Sequence, residues 1–191
     1  SMSIAQFEAD PEQGKLTSGF TIPRHTALST SAGGNVLCRF RTCYPLTLWP
    51  IEVIGAGFVE VGSYDFLSKD PGVASVLRVR LKSIGETDFS EIELSSLRIH
   101  LHGESMEVMP LYQLLVSSLK GVVVLPEGGK PTRLRDDAFQ EVGFGADEDV
   151  SPRPAHVHPA YQLLQEYFAF PRKFLFFDIG NLETARGPHS S

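Results

Sequence analysis

The sequence predicts an α+β fold, mainly an antiparallel β sandwich or barrel with two amphipathic helices. Three observations carry this expectation. Two segments alternate apolar and basic residues with a period of two, several other β-rich stretches are separated by Gly, Pro, Asn and Ser, and two stretches carry apolar residues at helical spacing.

Taken in chain order, strands are expected at 19–22, 35–41, 47–56 and 57–61, with a β-turn or bulge at Gly55-Ala56-Gly57 joining the last two. The segment 76–82 (VLRVRLK) sets Leu77, Val79 and Leu81 on one face and Arg78, Arg80 and Lys82 on the other. Residues 97–102 (LRIHLH) repeat the pattern, with Leu97, Ile99 and Leu101 inward and Arg98, His100 and His102 outward. Such alternation marks strands with one buried and one wet face. A helix follows, because Leu111, Leu114, Leu115 and Leu119 fall at i, i+3, i+4 and i+8; Pro110 suits its first turn and Gly121 follows its end. After a strand at 121–125, the Pro-, Gly- and acid-rich stretch 126–159, including Asp147-Glu148-Asp149, predicts a long loop with short strands. The second helix spans 159–168 with Tyr161, Leu164 and Phe168 on one face, and Pro171 stops it. A last strand is expected at 173–178. Residues 17–182 form one expected domain, between a flexible lead-in at 1–16 and a flexible tail at 183–191.

Composition excludes several functions. The chain of 191 residues is 42% hydrophobic and 21% charged, enough for one core. A net charge of -6 argues against a general nucleic-acid binder. No apolar run reaches the ~20 residues of a membrane helix. The start Ser1-Met2-Ser3 lacks the basic and apolar regions of a secretory signal and looks like a remnant of cloning, so a cytoplasmic location is expected. Cys38 and Cys43 on one strand would stand roughly 16 Å apart, too far to bridge, and are expected to pack as small hydrophobes.

Motifs for catalysis or cofactors fall short. The segment 51–62 (IEVIGAGFVEVG) opens like a dinucleotide fingerprint, but Glu60 replaces the third glycine and a turn-rich segment follows where a helix is required. Gly128-Gly129-Lys130 lacks the upstream glycine of a phosphate loop, and Pro131 stands where Ser or Thr would meet magnesium. His100 and His102, followed by Glu104, suggest an alternative reading as a cupin-like metal site. Arg98 shares their face, and Arg78, Arg80 and Lys82 would repel a cation if the two alternating strands were neighbours. The pair His156 and His158 lies in a Pro-flanked loop. A solvated basic face is the preferred reading, and no Ser, His and acid set suggests nucleophilic catalysis.

Four phrases together are similar to the TssF family of the type VI secretion baseplate. These are Gly19-Phe20-Thr21-Ile22-Pro23-Arg24 continued by His25 and Thr26; CRFRTCYPLTLWPIEV at 38–53; the strand 97–103 with the helical LYQLLVSSLKGV at 111–122; and YQLLQEYFAFPRKFLFFD at 161–178. Family members are longer, so the resemblance implies a central fragment. It also implies a bacterial, non-enzymatic structural subunit of a contractile injection machine linked to virulence, with no cofactor. The implied partners are TssG, a second TssF copy and TssK, with indirect links to the VgrG spike and the sheath. They imply a place on the cytoplasmic side of the inner membrane without direct insertion into it. Within these phrases, Arg39 and Arg41 alternate with Phe40 and are candidate ion-pair anchors for a partner. Phe174 and Phe177 are further interface candidates, because the aromatics of 167–177 exceed what one face can bury; the other reading makes 173–178 a central strand covered on both faces.

Overall fold

The structure, a computed structural model, describes residues 2–10, 17–32, 36–67, 70–85, 87–145, 147–151 and 158–185. Their strands are β1 (Phe20–Ile22), β2 (Ala27–Ala32), β3 (Val36–Arg41), β4 (Leu46–Leu48), β5 (Ile51–Val59), β6 (Val76–Ser83), β7 (Leu97–His100), β8 (Val123–Val124), β9 (Thr132–Arg133), β10 (Phe139–Val142) and β11 (Phe176–Ile179). The helices are α1 (Ser105–Ser118) and α2 (Pro159–Ala169). The α+β expectation holds. No closed barrel forms among the described residues: every pairing is antiparallel, and the strands divide into one three-stranded sheet and four two-stranded pairs.

The core lies on the sheet β10-β11-β7. Strand β11 is central, so both its edges are paired, and aromatic side chains pack on each of its faces. On one face Phe177 stacks on Phe139 (ring centroids 4.7 Å apart) and meets Tyr112 of α1 at 5.3 Å. On the other, Phe176 lies against its cross-strand partner His100 at 4.4 Å. Ile22, Ile92, Leu94, Val108, Leu134, Ala138, Val142 and Phe174 complete the buried apolar set among the described residues.

Several boundaries move for physical reasons. Helix α1 starts directly after Glu104, so Pro110 lies inside it and withholds the backbone donor that the Met106 carbonyl would receive. Its stripe is only partly covered: Leu111 and Leu115 are half-buried, while Leu114 and Leu119 are exposed. Strand β5 runs through Gly55-Ala56-Gly57 without a turn, with a bulge between Val53 and Gly55. The Arg80 guanidinium lies across Gly55, 2.9 Å from where a Cβ would stand, and being exposed it could move aside. Residues 173–174 form a 3-10 turn ahead of β11. The two alternating strands are not neighbours, because β6 pairs with β5 and β7 with β11.

Candidate docking surface

The four phrases meet in one polar network around the acidic segment 147–151. The Arg24 guanidinium donates from Nη1 to the Asp147 carbonyl and from Nη2 to the Asp149 carbonyl, each at 2.8 Å. Tyr44 Oη donates to the Glu148 carbonyl at 2.8 Å, and Cys43 Sγ approaches the Val150 carbonyl at 3.9 Å. The Glu148 carboxylate turns inward and accepts from the Gly143 and Gly145 amides at 2.7 and 2.8 Å. Arg98 lies over the Tyr44 ring at 5.4 Å and pairs bidentately with its cross-strand partner Asp178 at 2.8 and 2.7 Å. Burial, and secondarily the Glu148 charge, push the Tyr44 phenol well above its usual range, so it stays a donor. Tyr44→Phe is expected to cost about 1–2 kcal/mol in urea unfolding, because the Glu148 carbonyl loses a part-buried donor.

The same segment pins α2. His158 caps the helix by accepting the Ala160 amide on Nδ1 at 3.2 Å, Pro159 begins it, and Phe170 and Pro171 end it. Gln162 and Glu166, one turn apart, point inward. Glu166 Oε1 accepts from the Val150 amide (3.0 Å), the Ser151 amide (2.9 Å) and Gln162 Nε2 (2.8 Å). Its Oε2 pairs with Lys173 Nζ; the side chains are 1% and 2% exposed. Burial pushes the Glu166 carboxyl up, but the hydrogen bonds from Lys173, Gln162 and the Ser151 amide, with the Lys173 charge, hold it below its ordinary value.

This pinning corrects the expected orientation of α2. The stripe read as a packing face lies in solvent, with Tyr161 66%, Leu164 55% and Phe168 81% exposed, and Tyr167 half-exposed beside them. A helix cannot bury both sides here: Gln162 and Glu166 take the inner side, where four donors satisfy the carboxylate, and the aromatic stripe is left outside. The result is an uncharged aromatic face on a rigidly held helix, a surface suited to protein contact. Glu166 and Lys173 were not singled out from the sequence. The available signal was that Glu166 is the one charge in the run 159–171.

The other candidates fall as follows. Phe174 and Phe177 are buried, which corrects their reading as interface residues; Phe174 packs on Phe144 and Tyr167, and Phe177 on Phe139 and Tyr112. Arg39 and Arg41 are exposed on β3. The free thiols Cys38 and Cys43 are half-buried. His100, His102 and Glu104 do not converge: the imidazoles are 6.4 Å apart between ring centroids, His102 lies past the end of β7, and Glu104 occupies the position before α1. No group of three or more His, Cys, Asp or Glu gathers to hold a metal among the described residues. His156 lies outside them. The face of β7 read as solvated is covered instead, since Arg98 and His100 are both half-buried.

His100 carries a pH consequence. Its Nε2 is buried without a hydrogen-bond partner among the described residues. Burial lowers its affinity for a proton, against a hydrogen bond to the Arg172 backbone, and the His102 and Arg172 charges lower it further. Below the usual value of 6.5 the unfolded chain therefore binds a proton that the folded chain resists. Stability is complete above that pH and falls as pH drops from it toward the folded value. His100→Phe is expected to flatten this limb when urea midpoints are compared across pH 5–7.

Comparisons with known proteins agree on one family. The family model described as type VI secretion system, TssF, matches residues 1–190. The chain is 33% identical over 193 residues to the type VI secretion system component TssF1 of Pseudomonas aeruginosa, an alignment covering 97% of this chain and 31% of that protein. Its fold also matches a chain in the cryo-electron microscopy structure of the type VI secretion system TssK-TssF-TssG baseplate subcomplex. The TM-score is 0.70 and the identity 26%, over 91% of this chain and 31% of that one. In both comparisons the chain spans about a third of the relative's length.

Proposed function

This chain belongs to the TssF family of type VI secretion system proteins, and on that premise we propose that it is a structural part of the baseplate wedge. It works by assembly with TssG and a second TssF copy, without catalysis. Contact with TssK, and through the wedge with the VgrG spike and sheath, follows from the same reading, as does a position on the cytoplasmic side of the inner membrane. Among the described residues no helix is long and apolar enough to cross a membrane.

The observation that carries the proposal is the outward aromatic face of α2, held by a buried ion pair. Arg39 and Arg41 on the exposed side of β3 supply ion-pair anchors in the same assembly.

Co-purification with the cognate TssG, followed by light scattering, tests the reading. The expected product contains two copies of the TssF-type chain per TssG. A complex formed by the longer relative but not by this chain would move the contacts outside these residues. If neither associates, the assembly role is wrong.

A further inference from the structure

The β5–β6 hairpin hydrogen-bonds to no other strand among the described residues, so each of its strands keeps a free edge. Its faces differ sharply. Phe58 stands opposite Leu77, Ala56 opposite Val79 and Val53 opposite Leu81, and cross-strand partners share a face. That face is apolar and open, with Val53 64%, Phe58 58% and Val79 40% exposed. The other sets Gly57 against Arg78, Gly55 against Arg80 and Glu52 against Lys82. Arg78, Arg80 and Lys82 form no ion pair among the described residues.

A two-stranded hairpin with an uncovered apolar face is marginal in water, and an unpaired edge is a template for another strand. The two edges are unequal templates. Strand β5 is broken by its bulge, whereas β6 pairs without interruption from Val76 to Ser83.

We propose that the free edge of β6 accepts an extended segment of a protein partner in which acidic and apolar residues alternate, adding a third strand to the hairpin. The apolar positions continue the face of Leu77, Val79 and Leu81, while the acidic ones meet Arg78, Arg80 and Lys82 on the other. Charge selects this occupant. The chain as a whole carries -6, so the basic stripe runs against its overall sign. A second copy pairing β6 with β6 would set cation against cation. The chain's own acidic–apolar alternation, Glu91-Ile92-Glu93-Leu94, is engaged elsewhere: Ile92 and Leu94 are buried, and the Glu93 amide donates to the Thr17 carbonyl. The proposal needs neither TssG nor the α2 face, so its failure would leave the assembly reading intact.

The test uses the full chain and labelled peptides matched to the 8 residues of β6, alternating Val with Glu or Val with Lys. Anisotropy is expected to show binding of the Val-Glu peptide alone, weakening as salt rises. Hydrogen exchange is expected to show new protection at 76–83. The triple variant Arg78→Glu, Arg80→Glu, Lys82→Glu should bind Val-Glu about tenfold or more weakly and take Val-Lys instead. If the triple variant misfolds, Arg78→Gln, Arg80→Gln and Lys82→Gln decide singly, each expected to weaken Val-Glu binding about twofold. Equal affinity for both peptides, no binding of either, binding without protection of β6, or three neutral single variants would each overturn the proposal.

Discussion

Lys173→Met is expected to destabilise the fold by about 3–5 kcal/mol, read as a fall in urea midpoint at unchanged slope. Methionine keeps the volume and loses the charge, so Glu166 remains buried with only Gln162 and the Val150 and Ser151 amides against it. The double variant Glu166→Gln, Lys173→Met removes both charges and keeps an amide oxygen for those donors. It should recover about half of the loss, and a double variant no better than the single would refute the ion-pair account. The pH dependence gives a second check. In the wild type, the folded Glu166 value lies below its usual 4.5, so this contribution is present above that pH and lost as pH falls through the folded value. In Lys173→Met, burial is no longer offset and acid neutralises the stranded carboxylate. The gap between variant and wild type should therefore narrow on acidification.

Phe168→Asp is expected to leave thermal stability unchanged and weaken association with the cognate TssG by about thirtyfold or more, the effect of losing an interface anchor. The side chain is 81% exposed, so its loss opens no cavity, and an added carboxylate must be desolvated in any complex that covers it. Leu164→Ala and Tyr161→Ala, on the same stripe, should weaken binding by smaller factors. Titration calorimetry for binding, paired with a thermal melt of each variant, separates the two effects. If all three variants bind as the wild type does, α2 is not the docking face and the contacts must be sought elsewhere on the open surface.

Much of the element order was legible in the sequence. The alternation of 76–82 located β6, the aromatic run near 176 located a strand covered on both sides, and the Pro159 and Pro171 stops bounded α2. Other features were hidden for local reasons. Ala27–Ala32, ALSTSA, has too little apolar contrast to show a period, and it became β2 by pairing with β3. The glycines of β5 suggested a turn or bulge between two strands; the bulge is there, between Val53 and Gly55, but the strand runs on through it because β6 pairs along its whole length. The candidate site was the least legible part. Glu166 is held by Lys173, by the amides of 150–151 and by Gln162, and only Gln162 lies on its own helix.

Sequence pattern alone carried the family resemblance, the α+β class and the bounds of α2, β1, β3 and β6 to within a residue. Those properties depend on periodicity, caps and breakers acting within a few residues. Which side of α2 faces the core depends on contacts distant in the chain. Helical spacing locates an apolar stripe, but which side turns inward depends on what the neighbouring segments present to each side. Here the opposite side carries a carboxylate whose donors come from a loop, a turn and one helix neighbour, and that arrangement puts the aromatic stripe on the surface.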